Sequence, residues 1–413
     1  MVNTITNDSS DKTRQEQDSS LPAHIISSDR EAIEIAQQLA DEFAPTSAER
    51  DRHRRLPYAE LRKLSASGLL GITVPKEYGG AYVSNVTLAK VIQILSEGDS
   101  SIGQIPQNHL YMVEAIRLSG TEAQKRHFFD LVLRGKQFGN AFCEVGTKRA
   151  IDFKTRVVLT DTGYRLNGKK FYSTGALFAD VVPVVALDQA DQTVVVFVDR
   201  HTPGLTVIDD WSSMGQRTTA SGTTIIENVP VEEWQILRHY LAFEQQTTMG
   251  AIAQIIHAAV DVGIAQAALK DTINFVRTQT RPWIDSGLEY AYEEPLIIYS
   301  VGEMKIKLHA AEALLQRAGE FIDRALLDGT QSSAVAASIA VAEAKALADE
   351  TSLLITNKFF ELSGTKSTLE PFNYSRHWRN ARTHTLHDPV RWKYHGIGNY
   401  YLNGVNPPRH GAF

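Results

Sequence analysis

The sequence predicts an α+β multidomain protein with an N-terminal helical domain, a central β domain and a C-terminal four-helix bundle. Three changes of pattern along the 413 residues support this order. Residues 28–136 show helical periodicity, residues 137–235 show short β-rich runs between turns, and long helical runs return in residues 236–413. The first 27 residues are rich in Asp, Ser, Thr, Asn and Gln, and we predict a disordered arm there.

The N-terminal domain is predicted from apolar residues that recur at helical spacing. Asp29 to Ala32 open the first run, and Gly120-Thr121-Glu122 is typical of one helix ending and the next beginning. Further helices are predicted at 57–67, 85–98 and 123–133.

The central domain is predicted from runs rich in β-branched residues. Asn167-Gly168 between two such runs favours a β-hairpin turn, and Thr202-Pro203-Gly204 favours another turn. These features predict a small antiparallel barrel or sandwich. Its strands are expected at 156–159, 164–166, 181–186, 193–199 and 223–227.

The C-terminal domain is predicted from three long helical runs and a last helix after Pro389. The runs are 243–277, 295–327 and 333–363. The most apolar region, residues 249–269, is interrupted by Gln254, His257 and Asp261, so a buried bundle helix is favoured over a membrane span.

Composition narrows the function classes. The net charge of −6 does not favour a nucleic-acid-binding protein. Cys143 is the single cysteine, which excludes an intrachain disulfide and a multi-cysteine metal site and fits a cytoplasmic protein. The N-terminus lacks the pattern of a signal peptide, and no Gly-x-Gly-x-x-Gly motif indicates a nicotinamide site. No metal is expected.

The run from Arg379 to Pro389 carries the strongest local signal. It places His384 and His387 three positions apart, which on a helix puts both on one face. Asp388-Pro389 is typical of a helix start, so His387 is expected at the joint between two helices. Two structural histidines beside a cap would give the same pattern, so this run alone leaves the role open.

Several segments, in this order and spacing, resemble the acyl-CoA dehydrogenase superfamily over nearly the whole chain. Its closest likeness there is to the FMNH2-dependent monooxygenases of the dibenzothiophene monooxygenase type. The matching segments are 120–125, 140–144, 171–176, 210–217, 280–283, 361–365 and 379–389.

The resemblance implies a two-component enzyme that uses FMNH2 and O2, through a C4a-hydroperoxyflavin, to oxygenate a small or aromatic organosulfur compound. FMN is favoured over FAD, and a separate NAD(P)H-dependent flavin reductase and a homotetramer are expected. The implied catalytic residues are His387, Ser173, His109 and Asn140. The implied cofactor-binding residues are Asn140, Phe142, Phe171, Ser173, Arg281, Ser363, Gly364, Lys366, His384 and His387.

Two alternatives stay open at this point. A divergent acyl-CoA dehydrogenase with FAD would need a carboxylate base, and Asp388 falls where many members place a glutamate. Because Pro389 follows, a helix cap is favoured over a base. The usual Gly-Ser-Asp turn that helps to hold CoA is replaced by residues 145–149, although Lys148 and Arg149 could meet a phosphate. The other alternative is a non-catalytic flavin-binding protein.

Overall fold

The structure is a computed structural model that describes residues 23–149 and 151–413. The predicted arm therefore lies outside the described residues except for positions 23–27. Ala23 and Ile26 in that short part are buried, and the backbone N–H of His24 donates to the carbonyl of Ala66 at 2.9 Å.

The described N-terminal domain is helical, with four of its helices at the predicted places and two more, Ser100–Gln104 and Gln107–Ser119, between them. Ser28 caps the first helix by accepting from the backbone N–H of Glu31, and Thr121 forms a capping box with Gln124 at the last. The helices are α1 (Asp29–His53), α2 (Tyr58–Ala66), α3 (Asn85–Gly98), α4 (Ser100–Gln104), α5 (Gln107–Ser119) and α6 (Glu122–Leu133).

The central domain is a single seven-stranded sheet of mixed direction, so the predicted antiparallel barrel or sandwich is wrong. The order is β5-β6-β2-β1-β3-β4-β7, and β1 pairs with β3 in parallel while the other neighbours are antiparallel. The strands are β1 (Arg156–Thr160), β2 (Gly163–Lys170), β3 (Val181–Leu187), β4 (Thr193–Asp199), β5 (Leu205–Val207), β6 (Thr224–Val231) and β7 (Ile236–Leu237).

The Asn167-Gly168 pair lies inside β2, so the predicted turn there is also wrong. The hairpin closes earlier, where Thr160 pairs with Gly163. The register of β2 against β6 shifts between Leu166 and Gly168, which is a bulge. Gly168 is required there because an added Cβ would lie 2.2 Å from the Thr155 hydroxyl.

The C-terminal domain has three long helices and three shorter ones. They are α7 (Leu241–Glu244), α8 (Met249–Thr278), α9 (Pro295–Asp328), α10 (Gln331–Ser363), α11 (Ser375–His384) and α12 (Arg391–Asn403). Within the described ranges α8 is the one helix long and apolar enough to cross a membrane, and 89% of its most apolar window is buried inside the protein. The four-helix count stays a prediction.

One hydrophobic core joins the N-terminal and C-terminal helices. It runs from Phe43 of α1 and Leu88 of α3 through Ile256 of α8 to Leu315 of α9. A second core joins α6 to the sheet, where the rings of Phe128 and Phe197 lie 4.2 Å apart. The sheet is therefore held against both helical domains, and the site lies where they meet.

Candidate active site

Two segments next to the inner strands β2 and β3 form the first wall of the site. The extended segment 138–144 makes isolated parallel bridges to β3, and the segment 171–176 follows directly after β2. The backbone N–H of Phe171 donates to the carbonyl of Cys143 at 3.0 Å. Four predicted residues, Asn140, Phe142, Phe171 and Ser173, are thereby brought together.

A buried ion pair fixes the first wall. Lys170 Nζ donates to Glu144 Oε1 at 2.8 Å and to the carbonyl of Phe142 at 3.0 Å. The same carboxylate accepts from Thr155 and from the backbone of Lys154. Burial acts to raise the pKa of Glu144, but the hydrogen bonds from Lys170 and Thr155 outweigh it and lower that pKa to about 2. Glu144 is thus an ionised structural anchor.

Two polar side-chain atoms in this wall are buried and lack a protein partner. They are Ser173 Oγ and Asn140 Oδ1, for which the described part of the chain supplies no hydrogen bond. Ser173 itself is fully buried, and its backbone N–H donates to the carbonyl of Gly222 at 3.1 Å. Buried polar atoms are normally satisfied, so these two indicate a bound group with hydrogen-bonding atoms.

Aromatic side chains surround this wall. The ring of Tyr111 lies 5.9 Å from those of Phe142 and His239, and the Tyr111 hydroxyl is 3.2 Å from His239 Nε2. Burial lowers the pKa of His239 to about 4, so this histidine is neutral. Phe171 lies 6.2 Å from Trp211. These side chains make this part of the wall largely apolar.

Three histidines form the second wall. Helix α11 ends at His384 and α12 begins at Arg391, so His387 lies at a joint between two helices, as predicted. The His387 ring lies against that of His257 at a centroid distance of 3.9 Å, with the two ring planes tilted by 33°. His257 Nδ1 lies 3.2 Å from His384 Nε2, and His384 Nδ1 lies 2.6 Å from an oxygen of Asp261.

Asp388 does not cap the last helix, contrary to prediction. The N-cap of α12 is Val390, and no side chain caps this end. Asp388 is buried and accepts from His387 Nδ1 at 3.2 Å. Burial acts to raise the pKa of Asp388, but the hydrogen bond from His387 outweighs it and, with the charge of Lys393, holds that pKa far below its usual range. The carboxylate therefore orients His387.

The two walls lie close to each other. The Asp388 carboxylate is close enough to Cys143 that its charge adds to the effect of burial in raising the pKa of that thiol. The loop after β5 also contacts α11, where the backbone N–H of Gln216 donates to Asn380 Oδ1 at 2.7 Å. The segments that carry Ser173 and His387 thus approach each other.

Both ring nitrogens of His109 contact backbone groups. Its Nε2 lies 2.9 Å from the carbonyl of Leu70, and its Nδ1 accepts from the backbone N–H of Phe138 at 3.0 Å. Burial lowers the pKa of His109 to about 4, so the ring is neutral and both nitrogens are engaged. His109 thereby ties segment 138–144 to the N-terminal domain, and its catalytic role stays a prediction.

The remaining predicted residues form a separate group. Lys366 Nζ lies 2.6 Å from Gln279 Oε1, and the Thr280 hydroxyl lies 3.5 Å from the carbonyl of Ser363. Arg281 is exposed beside them, and Ser363 Oγ is buried without a partner among the residues described. Thr280 lies 23 positions after His257 in the chain, just past the end of α8. At 1.5 Å per residue these positions lie about 35 Å apart.

Sequence reasoning did not select His257, Asp261 or His239 as site residues. His257 and Asp261 are four positions apart on α8 and are both buried. The sequence signal that could have identified them is a polar pair at helical spacing inside the most apolar helix. Nothing local in the sequence marks His239.

The fold and this site define the class: a three-domain protein with the acyl-CoA dehydrogenase fold and a site between the sheet and the C-terminal helices. The chain belongs to the acyl-CoA dehydrogenase family, whose N-terminal, middle and C-terminal domain models match residues 29–136, 144–229 and 255–392.

Named relatives narrow the comparison further. A dibenzothiophene monooxygenase from Rhodococcus erythropolis is 35% identical and aligns over 92% of this chain and 95% of its own. A probable FMNH2-dependent monooxygenase, SfnC, from Pseudomonas putida is 31% identical over 92% of this chain and 96% of its own. The crystal structure of FMN-bound TdsC from Paenibacillus sp. A11-2 superposes with a TM-score of 0.88 at 28% identity, covering 92% and 100% of the two chains.

Proposed function

We propose that this protein is a two-component, FMNH2-dependent monooxygenase that oxygenates a small or aromatic organosulfur compound. One observation carries the proposal. Buried, unpartnered Ser173 Oγ and Asn140 Oδ1 lie in an aromatic wall, and His387 lies in the wall that approaches it. The relatives with this fold are named as organosulfur and FMNH2-dependent monooxygenases.

Bound reduced FMN would supply the activation of O2. Ser173 Oγ and Asn140 Oδ1 hydrogen-bond the polar edge of its ring system and so satisfy two buried atoms. His387 keeps Nδ1 on Asp388, so Nε2 is the ring nitrogen that remains to hold or donate a proton near the reacting oxygen. Tyr111 and Phe142 keep this part of the site apolar, which strengthens these polar contacts.

The acyl-CoA dehydrogenase alternative is disfavoured by Asp388. A general base works best when its pKa lies near the working pH, whereas the pKa of Asp388 lies far below its ordinary value. Its carboxylate is also engaged by His387. The missing Gly-Ser-Asp turn, at residues 145–149, points the same way.

The proposed substrate class is inferred from the aromatic side chains of the first wall. The rings of Tyr111, Phe142 and His239 offer flat apolar surface, with polar atoms at the Tyr111 hydroxyl and His239 Nδ1. An aromatic sulfur compound stacks on such surfaces. The proposal includes a cytoplasmic location, since the separate reductase draws on NAD(P)H.

A homotetramer built around the bundle of four helices is part of the same proposal. Arg281, Ser363, Gly364 and Lys366 form a group that lies about 35 Å along α8 from the His257 region, too far for one FMN to reach both. If this group binds the FMN phosphate, it binds that of a neighbouring subunit. Arg is suited to such bidentate phosphate contacts.

The central experiment supplies the purified protein with a flavin reductase, NAD(P)H, FMN and air. Dibenzothiophene and small alkyl sulfinates and sulfones serve as substrates, and product is measured by mass spectrometry with 18O2. We expect one labelled oxygen in the product and no product without the reductase. Reduction of bound FAD by an acyl-CoA, with no labelled product, would replace this proposal by the dehydrogenase. FMN binding without either reaction would favour the non-catalytic alternative.

A mixing experiment tests the shared site. Arg281→Ala and His387→Ala are each expected to be nearly inactive, because each breaks one half of every site. In mixed oligomers, some sites combine the intact His387 of one variant subunit with the intact Arg281 of the other. Activity should therefore return. An Arg281→Ala protein of normal activity and normal FMN affinity would remove this group from the site.

A further inference from the structure

A buried polar network extends from the histidine wall into the centre of the C-terminal domain. His384 Nδ1 lies 2.6 Å from Asp261, and the other oxygen of Asp261 accepts from Lys345 Nζ at 2.8 Å. Lys345 also contacts Asp349 one turn further along α10. The side chains of Asp261, Lys345 and Asp349 are each at most 3% exposed. Ions buried this deeply are expensive unless each one is paired.

The hydrogen-bond partners determine which nitrogens carry protons. The Asp261 carboxylate only accepts, so Nδ1 of His384 holds the proton. Burial lowers the pKa of His384 and of His257, so both rings are neutral. Nε2 of His384 is then an acceptor, and Nδ1–H of His257 donates to it. Nε2 of His257 is consequently unprotonated, and the His257 ring lies against the ring of His387 at a centroid distance of 3.9 Å.

We propose that Asp261 is a positioning residue for the site: through His384 it fixes the tautomer of His257, and the His257 ring in turn holds the ring plane of His387. The proposal deepens the proposed function, on which its kinetic part rests. Without the carboxylate, the two neutral histidines could adopt the reverse arrangement, in which His384 Nε2–H donates to His257 Nδ1. His257 would then present an N–H beside His387 in place of a lone pair.

The cluster offers a substitution that the fold should tolerate. Burial and the charge of Asp261 raise the pKa of Asp349 above its ordinary value, so Asp349 is the protonated partner and the cluster is neutral as a whole. In Asp261→Asn the neighbouring negative charge is gone. Asp349 can then ionise and balance Lys345.

The matched controls lie in the same structure. Asp349→Asn removes a carboxylate from the cluster but leaves the contact between Asp261 and His384. Asp271→Asn breaks another Asp–His contact of α8, in which Asp271 lies 2.7 Å from His377 Nε2. Neither control touches His257.

The first measurement uses the apoprotein with 15N-labelled histidine, so it does not depend on FMN or on catalysis. NMR assigns the protonated nitrogen of each ring, and His257→Gln and His384→Gln identify the signals. We expect protonated Nδ1 on both rings in wild type and Asp349→Asn, and a mixture of tautomers in Asp261→Asn. Unchanged tautomers in Asp261→Asn would overturn the proposal. If that variant is recovered poorly, the double variant Asp261→Asn/Lys345→Gln replaces it, because it removes the cation and its counter-charge together. Unchanged tautomers in the double variant would likewise overturn the proposal.

The second measurement is the FMNH2-dependent reaction with its pH profile and the hydrogen peroxide released per product. We expect kcat to fall about 10- to 100-fold in Asp261→Asn, the range found when residues that orient active histidines are changed, with KM within about twofold. Both controls should keep the wild-type peroxide ratio. If Asp271→Asn changed kcat and the peroxide released per product as much as Asp261→Asn does, the effect of Asp261 would be one of general stability. Wild-type protein that lacks the reaction but shows the expected tautomers would refute the proposed function and leave the tautomer assignment standing.

Discussion

Replacing Lys170 by Met tests how the first wall is held. The Lys170 ammonium is fully buried and bridges Glu144 to the carbonyl of Phe142. Breaking a buried ion pair on one side costs about 3–5 kcal/mol. Glu144 would keep three of its four hydrogen bonds, those from Lys154 N–H, Thr155 N–H and the Thr155 hydroxyl. We therefore expect a loss of local stability at the lower end of this range, about 3 kcal/mol.

Hydrogen-exchange mass spectrometry measures this loss locally, since a three-domain chain does not give one unfolding equilibrium. About 3 kcal/mol corresponds to about 100-fold faster exchange in peptides that cover β2 and segment 138–144. FMN should also bind more weakly, because Phe142 and Phe171 lie on the loosened segments. Glu144→Gln and the double variant complete a cycle that isolates the pair. Exchange within about threefold of wild type would refute the reasoning.

The pH dependence gives an independent check of the same pair. The pKa of Glu144 is lowered from 4.5 to about 2 in the folded protein. A depressed carboxyl pKa stabilises the fold above pH 4.5, and this contribution disappears as the pH falls towards 2. The protection of β2 amides, relative to their intrinsic exchange rate at each pH, should therefore fall across that window in wild type. It should change less in Glu144→Gln, and an identical acid response in both proteins would contradict the assignment.

Three further predictions concern single positions. Ser173→Ala should weaken FMN binding about fivefold, the effect of about 1 kcal/mol for one hydrogen bond, as measured by fluorescence quenching. Gly215→Ala should lower the melting temperature in a thermal-shift assay, because its Cβ would lie 1.9 Å from the carbonyl oxygen of Arg379 and push the loop from α11. His109→Leu should cost about 2–4 kcal/mol in local stability by hydrogen exchange, since it leaves two backbone groups unpaired. It should leave the peroxide released per product unchanged, and an increase would support a catalytic role for His109.

Helix positions were predictable because their signals are local. Ser28 and Thr121 cap helices where the sequence indicates, and α9 begins at Pro295 as expected. Asn167-Gly168 misled because the same dipeptide suits a turn or a bulge. The close contact between Gly168 and Thr155 favours the bulge, and no local sequence pattern indicates that contact.

The candidate site was predictable only where family motifs carried it. Ser173, Asn140 and His387 were selected through motifs; two of them carry buried polar atoms without a partner among the described residues, and the third is held by Asp388. The partners of His109 are backbone groups of Leu70 and Phe138, which side-chain patterns in the sequence cannot show. The roles of Asp388 and Asp261 depend on contacts between distant segments, so the sequence could not specify them.

The apolar character of α8 has a consequence for synthesis of the chain. This helix is buried largely by α10, which is complete only at Ser363, 85 residues after α8 ends at Thr278. At about 5–20 residues per second the ribosome needs roughly 4–17 s to deliver those residues. During that interval a 30-residue apolar helix is without its main cover. The nascent chain is therefore most prone to aggregation, or to capture by chaperones or the membrane-insertion machinery, before the protein that depends on this helix is complete.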